Sequence, residues 1–259
     1  MRIKQCEYAE ARLGKFSYFL DKYKLKKYFS PNKPAIFFGM YSKIGLNVLK
    51  KHKSLAVVIW RGSDIISSKK RLESVIKIMK HNKNIKHIAI SNFIKKDLDA
   101  VKVPYKFIPI TGSNLENFEA CPLGDDVYIY APNTRYNFYG GNYLDQIKGK
   151  CRFKINVSRS SNFYTKEELE RVYRASFIGL RLTEHDGIAN QVIEMGLMGR
   201  KCIHNGNQPN CIAWKNSEDI LNAIEEESKH IGKTRQNVID QIKKYVNIGD
   251  DWLNTEYWT

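Results

Sequence analysis

Short, continuous apolar runs recur along this chain, each followed by a segment with helical spacing. The runs are Ala35–Phe38, 54–60, 87–90, 106–110, 127–130, 153–157, 177–182 and 201–204. Apolar runs of four to seven residues without alternation are expected of strands buried on both faces, which occur in parallel sheets. Helices are expected between them, over about 67–80, 93–100, 142–148, 165–174, 188–198, 217–227 and 234–246. Parallel strands need such crossovers, so the pattern predicts an α/β fold with helices covering the sheets. Thr165 followed by Glu168 carries a capping-box signature for one of them. Residues 1–30 read as a further helix, with Tyr8, Leu13, Phe16, Phe19 and Leu20 on one broad face.

The polar, turn-rich stretch 111–126 divides the chain into two halves, 1–115 and 116–259, each long enough for a small domain. The halves differ in charge. Residues 1–115 hold 25 Lys/Arg against 7 Asp/Glu, whereas 116–259 hold 18 against 20, so the net charge of +16 lies wholly in the first half. Such a half-molecule favours an anionic partner: an acidic glycan, an anionic membrane or DNA. Hydrophobic residues at 42% and aromatics at 12% fit a packed globular chain. No apolar run approaches the roughly 20 residues of a membrane span. Met1–Glu7 has no apolar signal region, and five cysteines without a C-x-x-C pair fit reduced thiols and argue against structural zinc. A cytoplasmic location, or a peripheral one at an anionic membrane surface, is expected.

The stretch from Thr183 to Ile203 carries the most chemistry. The apolar strand 177–182 enters the acidic turn Thr183-Glu184-His185-Asp186-Gly187. An amphipathic helix containing Glu194 follows, then Gly199 and a second strand. In parallel sheets ligands bind at the carboxyl ends of the strands, where helix N-termini present free N–H groups to anions. Asp186, expected at the mouth of that helix, and Glu194, two turns inside it, are eight positions apart.

These residues resemble the nucleotide-sugar site of GT-B glycosyltransferases, especially the retaining group with two acidic residues separated by seven. Asp186-Gly187-Ile188-Ala189 matches the first part of that motif, Glu194 the second acid, Gly199 its glycine and Cys202-Ile203 the following strand. The first acid is Asp where the family has Glu, and Lys201 stands where it has Pro; Glu184 is an alternative first acid. Ile59-Trp60-Arg61-Gly62-Ser63-Asp64 is similar to the H-G-S-D loop of the family's acceptor domain.

The resemblance implies two Rossmann-like domains with a cleft between them. A basic acceptor-side domain would span 1–115, and a donor domain 116–259, with a C-terminal helix crossing back. It implies transfer of a hexosyl or pentosyl group from a nucleotide-sugar to an acceptor hydroxyl, metal-independent and retaining. The acceptor would be a glycan, a lipid-linked molecule or modified nucleic acid, and no cofactor or metal is expected. Asp186 would meet the sugar, and Glu194 the ribose hydroxyls. Gly187, Ile188 and Ala189 would lie along the donor, with Arg135, Gly140, Gly141, Arg181, Glu184 and His185 as further donor-side candidates. Arg181 reads as a charge within an apolar strand and so needs a partner. Arg61, Gly62 and Ser63 would face the acceptor, with Asp64 as the base of an inverting reaction. G-x-G-x-x-G and G-x-x-x-x-G-K-[ST] are both absent. The rival expectation is a non-enzymatic nucleic-acid-binding protein, with Tyr41, Trp60, Phe93 and Tyr105 stacking bases above the basic half.

Overall fold

The structure is a computed structural model that describes residues 5–6, 21–66, 69–159 and 164–258. It is a mixed α/β molecule whose described strands all pair in parallel. The chain divides into two compact units: Met1–Ser113 with His185–Ile188 and Ile248–Thr259, and Asn114–Glu184 with Ala189–Asn247.

In the first unit the strands are β1 (Gln5–Cys6), β2 (Lys26–Lys27), β3 (Ala35–Phe38), β4 (Ala56–Trp60), β5 (Ile85–Ala89) and β6 (Lys106–Phe107). Their order is β2-β1-β3-β4-β5-β6. Every residue of β3 and β4 is buried, as continuous apolar runs require of central strands. The helices are α1 (Lys43–Lys51), α2 (Ser63–Ile66), α3 (Lys69–Met79) and α4 (Asn92–Ala100). Ser91 caps α4 by accepting the Ile94 amide at 3.3 Å. Trp252, Leu253 and Trp258 join the same core, and the Trp258 indole donates to the Trp252 carbonyl at 2.8 Å. Burying a residue such as Trp60 contributes roughly 4–6 kcal/mol at about 25 cal/mol per Å².

The second unit contains β7 (Asp126–Tyr130), β8 (Ile155–Ser158), β9 (Ser176–Leu180), β10 (Lys201–Ile203) and β11 (Cys211–Ile212). Their order is β11-β10-β9-β7-β8. The chain leaves β7 toward one edge for β8, then returns to the other side of β7 for β9. β7 and β9 therefore flank a topological switch point. Its helices are α5 (Gly141–Ile147), α6 (Lys166–Ala175), α7 (Asn190–Leu197), α8 (Ser217–Ser228) and α9 (Gln236–Val246). The capping box of α6 forms: Thr165 accepts the Glu168 amide at 3.2 Å, and Glu168 accepts the Thr165 amide at 2.7 Å.

Four expectations need correction. Within the expected helix over 1–30, residues 21–22 are helical, but 5–6 and 26–27 pair in the first sheet; Tyr8, Leu13, Phe16, Phe19 and Leu20 lie outside the described residues. Residues 61–64 do not form a simple loop, because α2 begins at Ser63. Helix α1 was not expected, although Ser42 caps it by accepting the Gly45 amide at 3.0 Å. Finally, α7 starts at Asn190 with Ala189 as its cap residue, so Asp186 lies in the preceding turn and Glu194 only about one turn inside. Among the described residues no helix is long and apolar enough to cross a membrane.

Candidate functional site

Three aromatic rings and one guanidinium gather at the switch point of the second unit. Tyr130 ends β7 and Arg181 directly follows β9. The Arg181 guanidinium lies 5.3 Å from the Tyr130 ring centroid and 4.6 Å from that of Tyr139, and the two rings meet edge to face at 5.1 Å. Cation–π contacts hold a partly solvated guanidinium in place. Arg181 is thus half-buried on tyrosine faces just beyond the strand, which corrects its reading as a charge inside one. Behind it, the buried His204 places Nδ1 2.9 Å from the Arg181 carbonyl. A carbonyl only accepts, so that nitrogen carries the proton.

Helix α7 is seated on the end of β9 by Gln191, whose amide donates to the Leu180 carbonyl at 3.1 Å. Asn210 donates to the Val192 carbonyl at 2.8 Å and to the Arg200 carbonyl at 3.1 Å. Ala189, at the helix start, makes no side-chain cap, and the Val192 and Ile193 amides donate to its carbonyl at 3.0 and 3.3 Å. One turn along, half-buried Glu194 accepts the Tyr173 hydroxyl at 3.1 Å. Tyr173 meets Tyr128 edge to face at 5.1 Å. Burial, followed by the nearby Glu194 charge, raises Tyr173 well above the ordinary phenol, so it stays a donor.

Gly140 and Gly141 are fixed by backbone geometry. Gly140 takes φ +79°, and a Cβ there would lie 2.3 Å from Leu182 Cβ. Their amides donate to the Asn137 and Tyr136 carbonyls at 3.0 and 2.9 Å. These bonds replace the phosphate cradle expected of the pair: the glycines bring the Tyr139 turn close to Leu182. Arg135 is exposed, with its guanidinium 4.3 Å from the Phe138 ring centroid. Arg159, which follows β8 and which sequence reasoning passed over, lies 5.8 Å from the Tyr136 ring centroid and donates to Asn133 Oδ1 at 3.3 Å.

The acidic turn is distributed differently from expectation. Glu184 is exposed. His185–Ile188 belong to the first unit, where His185 Nε2 lies 2.6 Å from Asp97 Oδ2 and its ring packs against Phe93 at 5.3 Å. Ser91 donates its hydroxyl to the Asp186 carbonyl at 3.0 Å. Gly187 passes so close to the Arg61 carbonyl that a Cβ would stand 2.1 Å from it. Ile188 packs on the first core, while Ala189 is buried beside Val192 and Tyr173 in the second unit. Arg61 is half-buried and 5.9 Å from the Tyr41 ring centroid, and Ser63 opens α2.

Asp64 is not placed as a base. It is fully buried, and its carboxylate accepts the amides of Arg61 (3.0 Å), Gly62 (2.9 Å) and Met40 (3.2 Å). Burial raises it, and these amide bonds oppose the shift. A carboxylate so enclosed ties the β3 and β4 exits together and has no path to an acceptor hydroxyl. Sequence reasoning also missed Arg200, which is fully buried without a carboxylate. Its Nε donates to the Tyr173 and Ser176 carbonyls (both 3.1 Å), Nη1 to Cys121 (3.0 Å) and Met198, and Nη2 to Pro122 (2.7 Å) and Arg174 (3.1 Å). The end of α6 is thereby closed by a cation, as the helix dipole favours.

No protein-family model matches the chain, and no curated protein sequence matches it. Solved structures do. The fold resembles that of sucrose-phosphate synthase. The Thermosynechococcus elongatus protein matches over 93% of this chain with a TM-score of 0.62 at 11% identity, and 76% of its own length is covered. TarM matches over 93% with a TM-score of 0.59 at 11% identity, with 56% of its length covered. A variant of S. aureus TarM, in complex with fondaparinux, alpha-GlcNAc-glycerol and UDP, gives 0.57 at 12% identity over 93% of this chain, with 57% of its length covered. This chain therefore spans little more than half of TarM. At these identities the likeness is one of fold. Among the described residues no group of three or more His, Cys, Asp or Glu is arranged to hold a metal ion.

Proposed function

We propose that this chain is a glycosyltransferase that moves a sugar from a nucleotide-sugar to an acceptor hydroxyl. The observation that carries the reading is the β7/β9 switch point, with Arg181 on Tyr130 and Tyr139 and with Glu194 held by Tyr173. Its structural neighbours, sucrose-phosphate synthase and TarM, are glycosyltransferases, and TarM was crystallised with UDP. In this reading the second unit takes the donor. The guanidinium of Arg181 and the first amides of α7 neutralise the leaving diphosphate, the task that fixed donors perform at a developing anion. Glu194 accepts the ribose hydroxyls, and Tyr173 orients it. Asp186 meets the sugar, and the first unit receives the acceptor.

The bond from the anomeric carbon to the diphosphate oxygen breaks, a new bond forms to the acceptor oxygen, and the acceptor proton leaves with the nucleoside diphosphate. We take the reaction to be retaining and metal-independent. A retaining course needs no protein base, which agrees with the enclosure of Asp64.

The test is calorimetric and thermal-shift titration with UDP-, GDP-, ADP- and CMP-sugars, on the parent protein, Glu194→Ala and Arg181→Ala. Saturation at about 100 times Kd should add about 2.7 kcal/mol to native stability for one nucleotide class and be lost in both variants. If no nucleotide-sugar stabilises the parent protein, the proposal fails.

A further inference from the structure

The amino edge of the first sheet, opposite the carboxyl edge where ligands bind in such folds, carries a second organised surface. Three loops enter β3, β4 and β5 there, and they are bonded to one another. The Lys53 and Ser54 amides donate to the Pro31 carbonyl at 2.8 and 3.2 Å. Asn82 donates to the His52 carbonyl at 2.9 Å, and Asn84 to the Lys53 carbonyl at 3.3 Å. The loops thus form one continuous face. Their exposed cations are all lysines, including Lys33, Lys51, Lys53, Lys80 and Lys83, and residues 28–34, 50–54 and 80–84 contain no Asp or Glu. Amid them stands Phe29, 65% exposed, the most exposed large hydrophobic side chain among the described residues, with the Lys33 ammonium 4.7 Å from its ring centroid.

We propose that this edge docks on an anionic lipid bilayer, with Phe29 entering the headgroup boundary and the lysines facing lipid phosphates. An exposed aromatic ringed by lysines meets both demands of that boundary, apolar insertion and attraction to a negative surface. Single-stranded nucleic acid is recognised by a row of stacking rings along a groove and by arginine. Here one ring stands alone with a lysine over it, and the loops contain no arginine. This inference is independent of the sugar-transfer reading.

The experiment is co-sedimentation of the full chain with phosphatidylcholine vesicles, with and without about 30% phosphatidylglycerol, over a salt series. Binding should require phosphatidylglycerol and weaken with salt. Each lysine near the surface is worth about five-fold, so combined Lys53→Ala and Lys83→Ala should weaken binding roughly 20- to 30-fold, and Phe29→Ser about ten-fold. Lys243→Ala with Lys244→Ala, exposed on α9, should leave it unchanged. Equal melting temperatures would show that the variants fold, since all the altered side chains are exposed. Absence of binding, equal binding to neutral vesicles, or full binding by the edge variants would each overturn the proposal. So would displacement from vesicles by a single-stranded oligonucleotide whose own binding depends on the same lysines, which would assign the edge to nucleic acid.

Discussion

Tyr173, near the end of α6, donates its hydroxyl to Glu194, one turn into α7, at 3.1 Å. The bond joins a fully enclosed phenol to a half-buried carboxylate and fixes the direction in which Glu194 presents its second oxygen. Tyr173→Phe keeps the ring and its contact with Tyr128. It should cost about 1.5–3 kcal/mol, the value of a hydrogen bond to a charged group. Under the proposed function it should also weaken nucleotide binding by several-fold, read by calorimetry. Unchanged affinity would detach Tyr173 from the donor site.

Arg200 places its donors on six carbonyls from Cys121, Pro122, Tyr173, Arg174, Ser176 and Met198. Arg200→Met fills much of the space yet abandons those acceptors, and a loss of about 3–5 kcal/mol is expected in urea unfolding. Arg200→Lys should recover only part of it, because one ammonium cannot span the fork.

Asp64→Asn places an amide group among the Arg61, Gly62 and Met40 amides. At least one donor then faces a donor, and the expected destabilisation is about 1–3 kcal/mol. A melting temperature equal to that of the parent would contradict the stapling role assigned to Asp64.

His87 is enclosed beside Trp60, whose indole donates to Nδ1 at 3.0 Å, so the proton sits on Nε2 facing Met79 Sδ at 3.0 Å. Burial lowers its pKa from 6.5 to about 3. The unfolded chain takes up the proton first, so stability is full above about 6.5 and falls toward about 3 by up to roughly 1.4 kcal/mol per pH unit. Burial lowers His52 as well and adds in the same direction. His87→Gln retains an acceptor for the indole, and the slope of unfolding free energy between pH 6.5 and 4.5 should flatten by about one proton.

The central strands were legible because burial on both faces leaves continuous apolar runs, as in Ala35–Phe38 and 177–182. The α6 boundary was legible because Thr165 and Glu168 satisfy each other's backbone. Strands of two residues, such as β2 and β11, leave no such run, since their pairing comes wholly from neighbours. Helix α1 is interrupted by Gly45 and Asn47, which obscure its face, although Ser42 and the terminal lysines mark its ends.

The candidate site was half legible. Arg181 and Glu194 stand in one short stretch of the chain, so the sequence singles them out together. Tyr130, Tyr139 and Tyr173 reach Arg181 and Glu194 only through sheet order and a turn at Gly140. Asp64 carried the opposite error, because a carboxylate at a strand exit reads the same whether it faces solvent or three amides.

The first unit closes only with residues 185–188 and 248–258, which follow most or all of the second unit in sequence. Trp252, Leu253 and Trp258 therefore reach their core only after the second unit has been made. A ribosome that stalls or a protease that cuts before residue 248 leaves their seat open as an apolar scar on the basic half. Maturation of the first unit accordingly waits on residues that are translated after the whole of the second.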